Sequence, residues 1–242
     1  MGFSRKPKRT CARAIGIGIA ITVATMARPT ISHAVLAPVA TPPYTVTTFA
    51  TNPTGLSKPD SIAFNGTDVF VGYGNGGNPD GSGDAMSNIV EYDLTGHQLN
   101  NITVIGHNDG LRIDPATGDL WALQNEDGNS TLIIIKVKTL KQTTYTVDAT
   151  GTGPHGGGYD DLVFDGNSVF FSASAPTVLP NVNPAIVSVK IVGKKTKLTG
   201  ILNGTANATD VLTGNTVALS LTDPDSMILD PLGELVMTSQ GN

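Results

Sequence analysis

The chain has 242 residues, a formal net charge of −5, 14% charged and 39% hydrophobic residues, 28 glycines and one cysteine. That length supports one domain with a sizeable core, whereas a single cysteine excludes a disulfide framework and thiolate metal sites. The acidic balance argues against nucleic acid and anionic membrane surfaces as partners.

Arg5, Lys6, Lys8, Arg9 and Arg13 precede the apolar run 14–27, and Ser32-His33-Ala34 then supplies the small residues that a signal peptidase requires. Residues 1–34 therefore read as a secretory signal, and 35–43, with three prolines, as an extended leader. The apolar run is short and rich in Gly and Thr, while a comfortable span needs about 20 apolar residues. The expected product is exported, periplasmic or extracellular, with no stable membrane span after cleavage; an uncleaved N-terminal anchor is the alternative. Cys11 leaves with the signal, and so do six of the fifteen basic residues but none of the twenty acidic ones, so the exported part carries −11.

Residues 44–50 alternate polar and apolar side chains and read as a strand. Strands are then expected at 60–64, 69–73, 88–94 and 98–105, with Asn65-Gly66 and Thr95-Gly96 as turns. The pattern returns at 110–114, 119–124, 131–138 and 142–147, and again at 161–165, 168–174 and 185–192, with a longer outer portion over 196–220. Only two strands of a fourth copy follow before Asn242.

These segments repeat one another: Asp60-Ser61-Ile62, Asp109-Gly110-Leu111, Asp160-Asp161-Leu162 and Asp225-Ser226-Met227 open successive copies, each followed by a turn and a second apolar run. The aspartates are 49, 51 and 65 residues apart. A period this long, built of short strands and turns, predicts an all-β repeat protein, a β-propeller with about three and a half blades in residues 44–242. Single-chain rings usually have about four to eight blades. The expectation is thus part of a larger ring, the alternative a four-bladed ring closed by 44–50.

Strands in a blade alternate in direction, so the connections into each first strand and from second to third strand emerge on one face. Asp60, Asp109, Asp160 and Asp225 are expected to circle one mouth of the central channel, with Asn75, Asn125 and Glu126 beside them. An oxygen-rich set suits a hard cation, Ca²⁺ or another divalent ion taking about 6–8 oxygen ligands. The same aspartates could instead hold their own turns by accepting N–H groups. His107 and His155 enter the same loops and are candidate general bases. Asp161, doubling the acid of the third copy, is a candidate ligand-binding residue. Phe70 and Trp121 sit mid-strand at equivalent positions and are expected in the core between blades. The loop 74–87 lacks the spacing of a calcium loop, and no nucleotide, zinc-hydrolase or serine-hydrolase motif occurs, so no nucleotide or redox cofactor is expected. Asn65, Asn101, Asn129, Asn203 and Asn207 match the glycosylation pattern.

The segments Asn108-Asp109-Gly110-Leu111-Arg112-Ile113-Asp114-Pro115 with Gly118-Asp119-Leu120-Trp121, and Asp225-Ser226-Met227-Ile228-Leu229-Asp230-Pro231 with Gly233-Glu234-Leu235, together with Pro59-Asp60-Ser61-Ile62, resemble the six-bladed propellers of the SMP-30/gluconolactonase and NHL-repeat type. The resemblance implies a divalent cation on the channel axis, held by Glu and Asn or Asp residues of different blades, and hydrolysis of lactones or phosphotriesters. The glutamate expected early in that family has no counterpart before Asp60. Two functions follow as expectations: a cation-dependent hydrolase of the lactonase type, or a non-catalytic secreted propeller that binds a small molecule, protein or peptide at its mouth.

Export carries its own test. Protein recovered from the periplasm or medium should have the intact mass of a chain beginning at Val35; a membrane-bound product that retains residues 1–34 would support the anchor instead.

Overall fold

A computed structural model describes residues 38–150 and 157–240. The expected signal, His155 and most of the glycine-rich segment around it lie outside the described residues. Two compact units divide the chain, 1–47 and 48–242. The described part of the first contains no strand; residues 44–50, expected as a strand, are irregular. Tyr44 and Val46 leave their apolar side chains exposed, as a segment without a partner sheet does.

The second unit is all β, with no helix among its described residues. Four consecutive strands form an antiparallel meander: β1 (Pro59–Phe64), β2 (Asp68–Tyr73), β3 (Met86–Asp93) and β4 (Gln98–Ile105). A second meander follows in β5 (Asn108–Ile113), β6 (Leu120–Gln124), β7 (Thr131–Lys136) and β8 (Lys141–Asp148), and a third in β9 (Tyr159–Asp165), β10 (Ser168–Ala173), β11 (Pro184–Val192) and β12 (Lys195–Asn203). The expected outer portion of the third copy resolves into β12 and a separate ribbon, β13 (Asn207–Thr209) with β14 (Thr216–Ala218). The chain then returns to the repeat with β15 (Asp223–Leu229) and β16 (Leu235–Gln240). The turn signals act as read: Gly66, Gly96 and Gly118 all take positive φ, which a side chain would resist.

The second and third meanders join into one eight-stranded sheet, because the last strand of each pairs with the other in parallel, Lys195 opposite Thr146 and Lys197 opposite Asp148. The terminal strands of that sheet, β5 and β9, also lie against one another, so it nearly closes on itself. First strands are neighbours throughout: β1 lies against β5, β5 against β9 and β9 against β15, without pairing as a ladder.

Side-chain alternation explains this stacking. A strand presents residues i and i+2 on one face and i+1 on the other, so a strand buried on both faces is apolar throughout. In β6, Leu120 and Ala122 join Phe70, Ile89, Val104 and Leu111 in a core between the first and second meanders. Trp121 and Leu123, on the opposite face, join Leu162, Phe171 and Val187 between the second and third. Met227 of β15 packs with Val163 and Ile186 of the third. Trp121 meets the ring of Phe164 edge-on at 5.1 Å between centroids, a favoured aromatic geometry.

Because the two largest cores lie between meanders, loss of either should be felt by two of them. Phe171→Ala, at a fully buried side chain, should lower unfolding free energy by about 3–5 kcal/mol in urea titration. Ile228→Ser, at a side chain left 63% exposed, should stay within about 0.5 kcal/mol of the parent.

Candidate functional site

The first strands begin at one end of the meanders, and there the aspartates of the repeat meet. Asp60, Asp109, Asp160 and Asp225 line one cleft of about 180 Å³ together with Arg112 and Asp161. Close approach of the backbones makes this possible: a Cβ at Gly110 would overlap the carbonyl oxygen of Asp160. Beside them, carboxylate oxygens of Asp109, Asp160 and Glu126 lie within 4.8 Å of one another.

The four aspartates do not share one environment. Asp109 and Asp160 are buried, whereas Asp60 is exposed. Asp225 accepts hydrogen bonds from its own neighbours, Gln240 Nε2 and the Ser226 hydroxyl. Asp109 has the opposite situation: its Oδ2 is buried without a hydrogen-bond donor, and its neighbour is another carboxylate, that of Glu126. Burial, Glu126, Asp160 and Asp60 all push the Asp109 carboxyl far above the ordinary carboxylate range. Burial and the charge of Asp225 raise Asp160 in the same direction.

Other expected site residues are built into the scaffold. Asn75 takes the left-handed conformation, φ +54°, accepts the Ser57 amide at 3.1 Å and donates to Asn88 at 2.8 Å. Asn125, φ +67°, accepts the His107 amide at 2.9 Å and donates to the Asn129 carbonyl at 3.1 Å. Both amide oxygens therefore hold the loop that precedes a first strand, while the amide nitrogens bond to β3 in one case and to the turn after β6 in the other. Asp161 accepts from Arg112 Nη2 at 2.6 Å, from the Met227 amide at 2.9 Å and from its nearest downstream amide, Leu162, at 2.8 Å. It is a tied carboxylate next in sequence to Asp160, whose charged neighbours are other acids.

His107 does approach the acids: its Nε2 lies 3.9 Å from Glu126 Oε1, and its Nδ1 is buried without a hydrogen-bond partner. The residue that sequence reasoning overlooked is Arg112. Counting three residues past the repeated aspartate gives Ala63, Arg112, Val163 and Ile228, so a cation stands where the other copies are apolar. Counting one past it gives Ser61, Gly110, Asp161 and Ser226, so a carboxylate stands where the others are small. These two departures from the repeat are the two members of one ion pair, and comparing the copies position by position is the signal that finds them.

No family model matches the chain, and no curated protein resembles it significantly.

The donor set fits a hard cation. It offers three convergent carboxylates, one with a buried oxygen lacking any donor, and no soft ligand. Without a cation the cost of crowding these acids is met by holding protons, which sets the pH dependence. A carboxyl whose folded pKa lies above its unfolded value of about 3.9 contributes stability that is present below that value and lost as pH rises through the folded one. In chelator, thermal stability should fall from about pH 5 to about pH 8. Asp109→Asn should flatten that slope and raise the melting temperature at pH 8 by roughly 2–4 °C, the shift expected for about 1 kcal/mol in a domain of this size. A slope unchanged by Asp109→Asn would remove this carboxyl as its source.

Proposed function

We propose that residues 59–240 are consecutive blades of a β-propeller of the SMP-30/NHL type, exported from the cell, whose axial mouth binds a small oxygen-containing ligand through a divalent cation. The propeller reading is supported by three meanders of four strands, their face-to-face cores, and first strands gathered side by side. The observation that carries the functional reading is the convergence of Asp109, Asp160 and Glu126 with Asp109 Oδ2 buried and without a donor. Aspartates serving only their own turns would accept local N–H groups, as Asp93 does from Thr95 and His97.

Asp109, Asp160 and Glu126 would hold the ion, with Asp60 lining the approach. A bound divalent cation would supply Lewis acidity toward a ligand carbonyl or phosphoryl oxygen. His107 stands where it can take a proton at Nε2, which makes hydrolysis of an ester-like substrate, the lactonase type of reaction, the favoured activity. A larger cavity of about 650 Å³ lies against Asp114, Asp119, Lys136 and Lys138, but Lys136 and Asp119 neutralise one another there at 2.5 Å. The acidic cleft is the place with unmet charge.

Ca²⁺ or another divalent ion should raise the melting temperature of chelator-treated protein in proportion to the logarithm of its concentration above Kd. Asp109→Asn and Asp160→Asn should each weaken binding at least about tenfold by calorimetry while leaving the fold cooperative. Hydrolysis of lactone and aryl-ester panels should then depend on the ion and fall at least about a hundredfold in His107→Ala. Ion binding without hydrolysis would favour the non-catalytic binding propeller; no divalent-ion binding at about millimolar concentration, a Kd weaker than the about −4 kcal/mol that corresponds to it, would overturn the cation reading.

A further inference from the structure

We propose that Arg112 is the positioning residue of the acidic site: clasped by Asp161 and by the Met227 carbonyl, it holds β5, β9 and β15 at the spacing that brings Asp109 and Asp160 together. This rests on the cation reading above and assigns a second layer to it.

The need for such a residue follows from topology. β5 and β9 are the two ends of one sheet and β15 belongs to another, so no ladder ties these three first strands to each other. Each nevertheless carries a carboxylate into the same cleft, and like charges at short range push the strands apart. Something other than sheet hydrogen bonding must oppose this.

Arg112 is the single cation among the residues lining the cleft. Its Nη2 donates to Asp161 Oδ2 of β9 at 2.6 Å and to the Met227 carbonyl of β15 at 2.8 Å, while Nη1 returns to the Leu111 carbonyl of its own strand at 2.9 Å. Asp161 closes the ring by accepting the Met227 amide on the same Oδ2 at 2.9 Å. Ser172 adds a second tie: its hydroxyl accepts the Asp161 amide at 2.9 Å and donates to the Asp225 carbonyl at 2.6 Å. One planar fork thus spans three strands, from a position three residues past Asp109 to a partner, Asp161, that adjoins Asp160. A lysine would keep the charge but not the fork. That both partners depart from the repeat, and do so together, is what a specific pair requires and what a turn motif does not.

Charge and position predict opposite signs, which makes the proposal testable. Removing a cation from an acidic cleft strengthens cation binding by Coulomb attraction alone; losing the clasp weakens it. Arg112→Lys, with charge retained, and Arg112→Met/Asp161→Asn, with net charge unchanged and no buried charge left unpaired, should each weaken Tb³⁺ and Ca²⁺ binding by at least about tenfold, the range typical of residues that orient metal ligands. Tb³⁺ luminescence lifetimes in H₂O and D₂O should report more coordinated water in both variants. Lys136→Met/Asp119→Asn, removing an ion pair elsewhere, should change neither. Parent-like affinity and hydration in the Arg112 variants, or tighter binding in Arg112→Met, would overturn the proposal. Should the parent bind neither ion, the cation reading fails, and the clasp is decided in ion-free protein by hydrogen exchange: Arg112→Met, which leaves Asp161 in place, should speed exchange of the Met227 amide at least about tenfold, and unchanged exchange would overturn it.

Discussion

Mutual repulsion of carboxylates is the constraint around which the rest of this structure is arranged. Oxygens of Asp109, Asp160 and Glu126 sit within 4.8 Å of one another, and the two aspartates are buried. Two unit charges at about 4 Å repel by about 1 kcal/mol in water and by several times that near a protein interior. A fold that places them so must either keep protons on them, bind a cation between them, or hold the strands against the push. The raised carboxyls correspond to the first solution and the apolar layers with the Arg112 ion pair to the third, while the donor-free oxygen of Asp109 is the observation on which the proposal of the second rests.

Those layers resist in a particular direction. The second meander is apolar on two faces and buries one against the first meander and one against the third, as β6 does with Leu120 and Ala122 on one side and Trp121 and Leu123 on the other. Such packing presses neighbours together face to face but does little to fix how far each first strand slides along the next. Hydrogen bonds between strands of different meanders supply that register. At the outer rim it is the short parallel pairing of β8 with β12, and at the inner end it is the set of bonds from Arg112 and Ser172 to β9 and β15. The rim pairing explains why two meanders become one continuous sheet, a joining that a pattern of alternating strands does not announce.

The strands themselves were legible because their cause is local. Alternation and Gly turns placed eleven of the twelve strands of the three meanders within a few residues, leaving β12 inside the broad outer portion 196–220, since burial of alternate side chains and positive φ at Gly66, Gly96 and Gly118 are properties of short segments. The gathering of Asp60, Asp109, Asp160 and Asp225 was legible for a different reason: equivalent positions in a repeat occupy equivalent places. What repetition could not distinguish was the environment of each copy. Asp109 became buried because Gly110 lets β9 come close, and Asp60 stayed exposed. Asn75 and Asn125 were read as polar groups facing a mouth, whereas their left-handed backbone turns their amides into anchors for the preceding loop. Residues 44–50 show the limit of alternation as a guide, because a strand forms only where a partner ladder is present.

Asp160 and Asp161 carry this distinction to its smallest scale. They are adjacent, identical in chemistry, both buried and both in the lining of the cleft, at a break in the β9–β10 register, yet they meet different partners. Asp161 meets a guanidinium and two amides, so its charge is compensated by groups of the fold itself. Asp160 meets Asp225, Glu126 and Asp109, so like charge and burial favour a proton on it. The pairing of one is what makes the exposure of the other to like charge sustainable, because the bonds that satisfy Asp161 are the ones that tie β9 to β5 and β15. Sequence position alone therefore does not tell these two carboxylates apart; the partner that each one meets does.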